Sequence, residues 1–441
     1  MPASPIDSAL YRQLFRDEDT AQLFTDSAEV RAMMLVEGAL ARAQGALGVI
    51  PETAAAYLYR ASFELQIDPV GLSAETAVNG VPVPALVAAF RKAAEAPEHT
   101  AWLHWGATSQ DIMDTALALR LKRVAALWDE RLGALLIRLA DLADAHAELA
   151  MTGRTYGQAA TPTSFGAVVA GWGRPILRHR QRLAGLLPDI LQVSLSGAAG
   201  TLSAMGPQGP AVRAELAKAL GLTDPGASWH AERDSLAVFA AWMAGVTGSL
   251  AKIGEDLILL TQSGIAEVAI SGAGGSSTMP QKQNPVGPSV LVALARQAAA
   301  LSGVMQVAIV HRQQRDGAAW FAEWLSLPQL CLLTGRSQSL AQDILARLQP
   351  EPDAMAQGLA AGQGLIFAEA LSFALTKTMP RPEAQAAVKQ LCVKALSTGQ
   401  DLIALARQAS PDQNWSSQLC RDMLGQAPAE ARAFAHSVRH P

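Results

Sequence analysis

Three polar stretches of this chain carry side chains at spacings that can do chemistry. In GSSTMPQKQNP, residues 275–285, the pair Ser276 and Ser277 is followed by Lys282 and Asn284, with Pro280 and Pro285 on either side of the lysine. Gly272, Gly274 and Gly275 give this segment a mobile approach and the prolines stiffen its far end, as in a lid that carries functional groups; the plainer reading is a surface loop. In HTAWLHWGATSQDIMDT, residues 99–115, Gly106 and Ala107 lead into Thr108, Ser109, Gln110 and Asp111. Thr108 and Asp111 have the spacing of a capping box, with Asp a weaker partner than Glu or Gln. The free N–H groups and hydroxyls of a helix start also bind carboxylates, so a cap and an anion site can be the same residues. In MTGRTYGQAATPTSFG, residues 151–166, Arg154, Thr155, Tyr156 and Gln158 crowd together, and the plainer reading is a polar loop between two helices.

These segments interrupt a chain of long helices. From Ile112 the apolar positions Ala116, Leu119, Val124, Leu127, Trp128, Leu132, Leu135, Leu136, Leu139 and Leu142 recur mostly three or four apart, and no proline falls in residues 111–149. A second stripe runs from Leu236 through Phe239, Met243, Val246, Leu250, Ile253 and Leu257 and predicts a helix to about Val268. A third follows Pro285 or Pro288, with Val290, Leu294, Ala298, Leu301, Val304 and Ala308. The first two helices would each run roughly 55 Å, the dimension of an elongated bundle. The expected class is all-α, with a helical domain over 1–110, a central bundle over 111–350 holding the loop 271–285, and a helical domain over 351–441. Strand-like alternation is nearly absent.

The first helix has a further consequence. If it is continuous, the Thr108–Asp111 and Arg154–Gln158 segments lie roughly 55–60 Å apart within one chain. For both to hold one small substrate, copies of the chain must bring different helix ends together, and a dihedral homotetramer with composite sites closes that arrangement.

Composition limits the partners. Half of the 441 residues are hydrophobic and 17% are charged, and 35 basic against 39 acidic residues give a net charge of -4. No Lys/Arg-rich block follows a nucleic-acid backbone, so nucleic acid is not an expected partner and an anionic ligand must meet locally placed cations. Cys331, Cys392 and Cys420 are far apart and outside any C-x-x-C pattern, which predicts neither a disulfide framework nor a zinc site. The opening residues lack the apolar core of a signal peptide, and apolar runs are broken by charges or breakers before about 18 residues. A soluble cytoplasmic protein with no membrane contact and no cofactor or metal is the expectation.

GSSTMPQKQNP resembles the signature loop of the fumarase/aspartase superfamily. GATSQDIMDT, GRTYGQAATPTSFG and SGAAGTLSAMG fall in that family's order, so the resemblance covers nearly the whole chain. It implies cleavage or formation of a C–N or C–O bond beside a carboxylate, through an aci-carboxylate intermediate. By resemblance, Ser276 is the catalytic acid/base with Ser277 beside it, and Lys282 and Asn284 hold the carboxylate where charge accumulates. Thr108, Ser109 and Gln110 resemble one carboxylate-binding cluster and Thr155 and Gln158 another, and His104 matches a histidine found in several members. The resemblance also implies a tetramer whose sites each draw on three subunits.

The family pattern in the second segment usually reads Arg-Thr-His, where this chain has Tyr156. VPVPALVAAF, residues 81–90, has no histidine where adenylosuccinate lyases place one. What remains resembles the 3-carboxy-cis,cis-muconate cycloisomerase branch, with ASWHAERDSLAVF (227–239) and HRQQRDGAAWFAEWLSLP (311–328) also similar to it. That branch implies lactonisation of a small tricarboxylate to 4-carboxymuconolactone within protocatechuate degradation. The substrate's own carboxylate is then the nucleophile and needs no base to activate it. Arg154, Lys282 and Arg315 are the cations expected to meet the trianion. The plainer reading of Arg315 is an ion pair with Asp316 or Glu323, and that of His230 a buried structural histidine. An adenylosuccinate-type lyase and a non-enzymatic structural relative are the alternatives.

Overall fold

The computed structural model describes residues 4–272, 274–275, 279, 282–415 and 423–440, and it is mostly helical, as expected. The longer helices are α1 (Asp26–Ala46), α2 (Glu52–Glu64), α3 (Val83–Ala94), α4 (Ser109–Ala145), α5 (Phe165–Ile190), α6 (Gly209–Leu220), α7 (Asp234–Leu260), α8 (Val286–Val307), α9 (Gly317–Arg347), α10 (Pro352–Ala360), α11 (Ala368–Leu375), α12 (Arg381–Thr398), α13 (Leu402–Ala409) and α14 (Ala427–Arg439). Among the described residues three two-stranded antiparallel ladders punctuate them: β1 (Ala150–Thr155) with β2 (Gln158–Ser164), β3 (Val268–Ile270) with β6 (Leu348–Pro350), and β4 (Gly274–Gly275) with β5 (Gln283–Asn284).

Two compact units result. The first holds the chain up to Arg131, His179–Gly248 and Ala293–Ser339. Its core packs Met33, Met34 and Leu40 of α1 with Leu58 of α2, Leu86 and Phe90 of α3, Ile112 of α4 and Leu216 of α6. Thr25 caps α1 by accepting the Ala28 N–H (3.2 Å), and Asp26 and Glu29 in the first turn face the positive end of the helix dipole. Gly38 lets α1 and α2 touch, since a Cβ there would lie 2.1 Å from Ser62 Oγ. Farther along α4, Trp128 stacks with Phe239 and Trp242 of α7, ring centroids 5.6–6.1 Å apart.

The same unit holds a buried charge cluster that hydropathy does not reveal. Arg233, just before α7, donates to both oxygens of Glu323 (2.8 and 2.6 Å) and both of Asp114 (2.7 and 3.2 Å), with all three side chains at most 3% exposed. Burial alone would push the Glu323 carboxyl up. The Arg233 hydrogen bond and charge, with His311 beside it, outweigh that and hold it below its ordinary value.

The second unit comprises Leu132–Arg178, Ser249–Val292 and Leu340 onward. Trp172 of α5 donates its indole N–H to Asp256 of α7 (2.7 Å), and Gly173 lies against the Phe434 ring of α14, where a Cβ would stand 2.0 Å from Cζ. Near the C-terminus, Leu371, Ala384, Val388, Leu402 and Trp415 close a smaller core among α11, α12 and α13.

Helix α4 is unbroken over 37 residues. Its buried face carries Leu121, Val124, Trp128, Leu132, Leu135, Leu136 and Leu139. Burying each such side chain contributes about 1.5–3 kcal/mol. The second expected helix is shorter than its stripe suggested. It ends at Leu260, because Thr261, Gln262 and Ser263 lead into Gly264 in the left-handed region (φ 86°). Val268 and Ile270 are instead alternate buried residues of β3, the period of a strand. Within the third stripe Val290, Leu294 and Ala298 are buried, but Val304 is 40% exposed, as is its neighbour Val307 at 74%. By length and composition α7 and α8 are apolar enough to cross a membrane, with 61% and 39% of their most apolar windows buried within the protein.

Replacing Arg233 by Met leaves Asp114 and Glu323 buried without a counter-charge. The expected loss is about 3–5 kcal/mol in denaturant unfolding at neutral pH. The sign with pH also follows. A carboxyl held low in the folded state stabilises above its unfolded value, about 4.3 for Glu, and that contribution is lost as pH falls through the folded value. In Arg233→Met burial of Glu323 is opposed by His311 without the arginine, so protonation of Glu323 helps the variant. Its deficit relative to wild type should narrow between pH 7 and pH 4; a constant deficit would place the effect in packing.

Candidate active site

Within the first unit the start of α4 is built around one buried carboxylate. Asp111 has no exposed surface and accepts five hydrogen bonds. The Thr108 N–H reaches it at 3.0 Å, which is the reach-back half of the expected capping box. The Ser196 and Gly197 N–H groups donate at 2.8 and 2.9 Å, the Ser194 hydroxyl at 3.4 Å and His230 Nε2 at 2.8 Å. An acceptor-only carboxylate fixes the tautomer by this network: His230 carries its proton on Nε2 and turns the Nδ1 lone pair outward. His230 is buried, as the plainer reading had it, and its ring also touches a candidate site residue.

That residue is Arg315. Its Nε donates to Gln110 Oε1 at 2.7 Å and its NH2 meets His230 Nδ1 at 3.4 Å. Gln110 is wholly buried, and its own amide N–H groups donate to Asp114 (3.1 Å) and to the His230 carbonyl (3.0 Å). Gln110 therefore grips the guanidinium from behind. The ion pair weighed for Arg315 does not form: Asp316 engages Arg312, and Glu323 engages Arg233. Among the described residues both partners of Arg315 are neutral groups, so its charge is not neutralised there. Thr108 and Ser109 stand half-buried beside this cluster in sequence, and their hydroxyls bond to none of the described residues.

His104 belongs to the same unit and sits in the left-handed region (φ 64°), two residues before Gly106, which does likewise (φ 70°). A Cβ at Gly106 would meet Met205 Cγ at 2.8 Å, so the turn needs glycine for space as well as for conformation. The His104 Nδ1 pairs with Glu37 Oε1 at 2.6 Å, and Glu37 is 2% exposed with Oε2 unpartnered among the described residues. Burial lowers the imidazole's proton affinity. The charge and hydrogen bond of Glu37, with Asp111 farther off, overcome this and raise it above the ordinary 6.5.

In the second unit the 151–166 stretch is a β-hairpin rather than an open loop. Tyr156 and Gly157 both take positive φ (53° and 73°), the backbone of a two-residue turn matched to strand twist. Tyr156 is fully exposed at its tip, with Thr155 and Gln158 exposed on either side. Arg154 is different. It makes a bidentate pair with Glu267 at 2.7 and 2.9 Å.

Residues Met279, Lys282, Asn284 and Pro285 line a cleft of about 960 Å³ in this unit, together with Thr261, Gln262, Ser263, Glu351, Asp353 and Gln357. Lys282 is exposed and pairs with no described carboxylate, while Asn284 is held in β5 opposite Gly274. Ser276 and Ser277 lie outside the described residues, as does Pro280. Sequence reasoning missed Glu37, Glu267, Asp114 and the hub at Asp111. Single acidic residues within apolar periodicity gave no signal of which partners the fold would bring to them.

Residues 11–300 match a family model described as lyase. A 3-carboxy-cis,cis-muconate cycloisomerase from Pseudomonas aeruginosa is 39% identical over 401 residues, 90% of this chain and 87% of that one. A nitrosuccinate lyase from Streptomyces davaonensis is 33% identical over 93% of this chain and 89% of its own. The crystal structure of 3-carboxy-cis,cis-muconate lactonizing enzyme from Pseudomonas putida superimposes with a TM-score of 0.94 at 34% identity, covering 98% of this chain and 99% of that one.

The His104–Glu37 pair gives a titration with a definite sign. The imidazolium is favoured by Glu37, so the pairing stabilises the fold below about pH 6.5 and is lost as pH rises through the raised folded value. Exchange of the imidazole C2 proton, followed by mass spectrometry across pH, should place the His104 midpoint above 6.5 in the wild type. In Glu37→Gln burial dominates and the midpoint should fall below 6.5; a midpoint that stays put would show that Glu37 does not set it.

Proposed function

The chain belongs to the lyase family of fumarase and aspartase, and from that membership we propose that it catalyses the lactonisation of 3-carboxy-cis,cis-muconate to 4-carboxymuconolactone, a step of protocatechuate degradation. Tyr156 carries this reading. It stands where the family pattern usually has a histidine, and a reaction whose nucleophile is an ionised, tethered carboxylate of the substrate has no use for a base at that position. The cycloisomerase relatives support it, while the nitrosuccinate lyase at similar identity favours a second reading: a lyase that eliminates a group from a succinyl compound.

In the proposed step a substrate carboxylate oxygen forms a bond to an alkene carbon. The C=C π pair moves onto the adjacent carboxylate as an aci-carboxylate, and a proton is delivered to the carbon alpha to it. Ser276 supplies that proton, Ser277 lies beside it, and Lys282 and Asn284 stabilise the accumulating charge. Arg315 offers a carboxylate a guanidinium that, among the described residues, neutral groups hold, and Thr108 and Ser109 offer hydroxyls that bond to none of those residues, at a helix start. Thr155 and Gln158 hold another carboxylate, and His104, whose Nδ1 is held by Glu37 in the same unit as Arg315, offers its other ring nitrogen.

We also propose that these groups meet between chains of a cytoplasmic homotetramer. Helix α4 rises about 55 Å over its 37 residues, and the Gln110 and Tyr156 segments adjoin its two ends in sequence. Valines on α8 and Phe321 and Leu325 on α9 are exposed apolar side chains of the kind that another copy buries. On this reading the apolar faces of α7 and α8 belong to a soluble assembly rather than to a bilayer.

Loss of the ultraviolet absorbance of carboxymuconate should follow addition of the purified protein, with adenylosuccinate and nitrosuccinate left intact. Turnover of either of those, and none of carboxymuconate, would overturn the cycloisomerase reading in favour of a lyase. Ser276→Ala should lower kcat by about two orders of magnitude with the fold kept; near-normal turnover would assign the proton to another group.

Mixed assemblies test the composite site. Ser276→Ala and Arg315→Ala proteins, each inactive, should regain activity when unfolded and refolded together, because some sites then carry neither lesion. Hybrids that form, as judged by mass, yet remain inactive would place both residues in one chain within each site.

A further inference from the structure

The two arginines first grouped as substrate cations are held in opposite ways, and the difference assigns Arg154 another task. Glu267 has no exposed surface, whereas the Arg154 side chain is 28% exposed, so the guanidinium bends inward from the hairpin to meet a carboxylate already fixed in the protein. The backbone around Glu267 is itself pinned. Its carbonyl accepts the Glu351 N–H at 3.0 Å, its N–H donates to the Leu260 carbonyl at 2.9 Å, and Ala266 before it takes a positive φ of 48°.

The hairpin is shaped to make this reach. Register between β1 and β2 shifts between Thr152 and Arg154, where Ala160 and Thr161 of β2 stand against Gly153 alone, a bulge that bends the hairpin beside Arg154. A Cβ at Gly153 would lie 2.5 Å from the Thr161 carbonyl oxygen, which leaves glycine as the residue that fits. Gly358 of α10 covers the pair from the other side, where a Cβ would stand 2.9 Å from Glu267 Oε1 and 3.9 Å from an Arg154 nitrogen. Helix, bulge and ion pair converge on one point at the base of the arm, and Thr155, Tyr156 and Gln158 project beyond it.

We propose that Arg154 is a positioning residue: with Glu267 it forms a strut that aims the Thr155–Gln158 arm into the active site, and it does not meet the substrate. The charge of Arg154 is satisfied by Glu267. A trianionic substrate is therefore met by Lys282 and Arg315 instead. This inference rests on the proposed cycloisomerase reading for its turnover readout alone.

Four variants test it: Arg154→Met, Arg154→Lys, Glu267→Met and the double variant. Removing one partner of a buried pair leaves the other uncompensated, whereas removing both with apolar residues is often nearly neutral. Amide hydrogen exchange over residues 150–164 should speed up in Arg154→Met, with KM rising by about tenfold or more and kcat falling less, and Arg154→Lys should recover part of this. In the double variant, protection should return and kcat/KM should come within about threefold of wild type. Unchanged hairpin exchange in Arg154→Met alongside lost turnover would overturn the strut and return Arg154 to the substrate. So would a double variant with restored protection and turnover as low as in Arg154→Met. If the wild type leaves carboxymuconate untouched, the reaction assignment fails while the exchange readout still decides the strut.

Discussion

A carboxylate with no exposed surface has to be satisfied by donors, and in the first unit that requirement organises everything around Asp111. Its five donors come from the start of α4, the 194–197 segment and His230, which are far apart in sequence. An unpaired buried charge costs several kcal/mol, so these segments cannot drift independently. The consequence reaches Arg315 through the imidazole. With its proton committed to Asp111, His230 can present only a lone pair to the guanidinium, and a second proton would set two donors face to face. Gln110 and Asp114 extend the same logic to Arg233, so the position of Arg315 is set by a chain of hydrogen bonds that begins in the core.

The identity of the partner decides what an arginine can do. Arg315 is oriented by an amide oxygen and an imidazole, which fix direction while leaving the positive charge to attract an anion. Arg154 meets a buried carboxylate in bidentate geometry, which fixes direction and cancels charge together. Both are arginines near motifs that resemble carboxylate-binding segments. Only the partners separate a binding role from a bracing one.

Those partners were the illegible part of the sequence. The long helices could be read because burial is periodic: Leu121 through Leu139 on α4 and Leu236 through Leu257 on α7 lie where a 3.6-residue period puts them. The loop 275–285 and the helix start at Thr108 could be read because their residue types are unusual between helices. Short strands could not. Val268 and Ile270 continue an apolar pattern that a helix would also use, and only Gly264 marks the break. Tyr156–Gly157 as a turn requires positive φ at a tyrosine, which residue type argues against. Glu37, Asp114, Glu267 and Arg233 were hidden for a different reason. Each is one polar residue in an apolar stretch, and whether it is paired depends on residues up to 119 positions away.

Fold and membership are shared across relatives that carry different names, so neither distinguishes a cycloisomerase from a lyase. What can distinguish them is the group that each places against the atom beside the reacting carbon. Here the hairpin presents Tyr156 at its tip, fully exposed, and none of the described residues of its unit buries the ring. A ring of that size left in water is unfavourable by the measure that drives the core together. Exposure in the single chain therefore argues that the arm completes its environment elsewhere. Chemistry in such a design is altered by exchanging one residue at the tip of a strut, without disturbing the helices that carry it. The proposed loss of a base and gain of an aromatic ring at position 156 is a change of that kind.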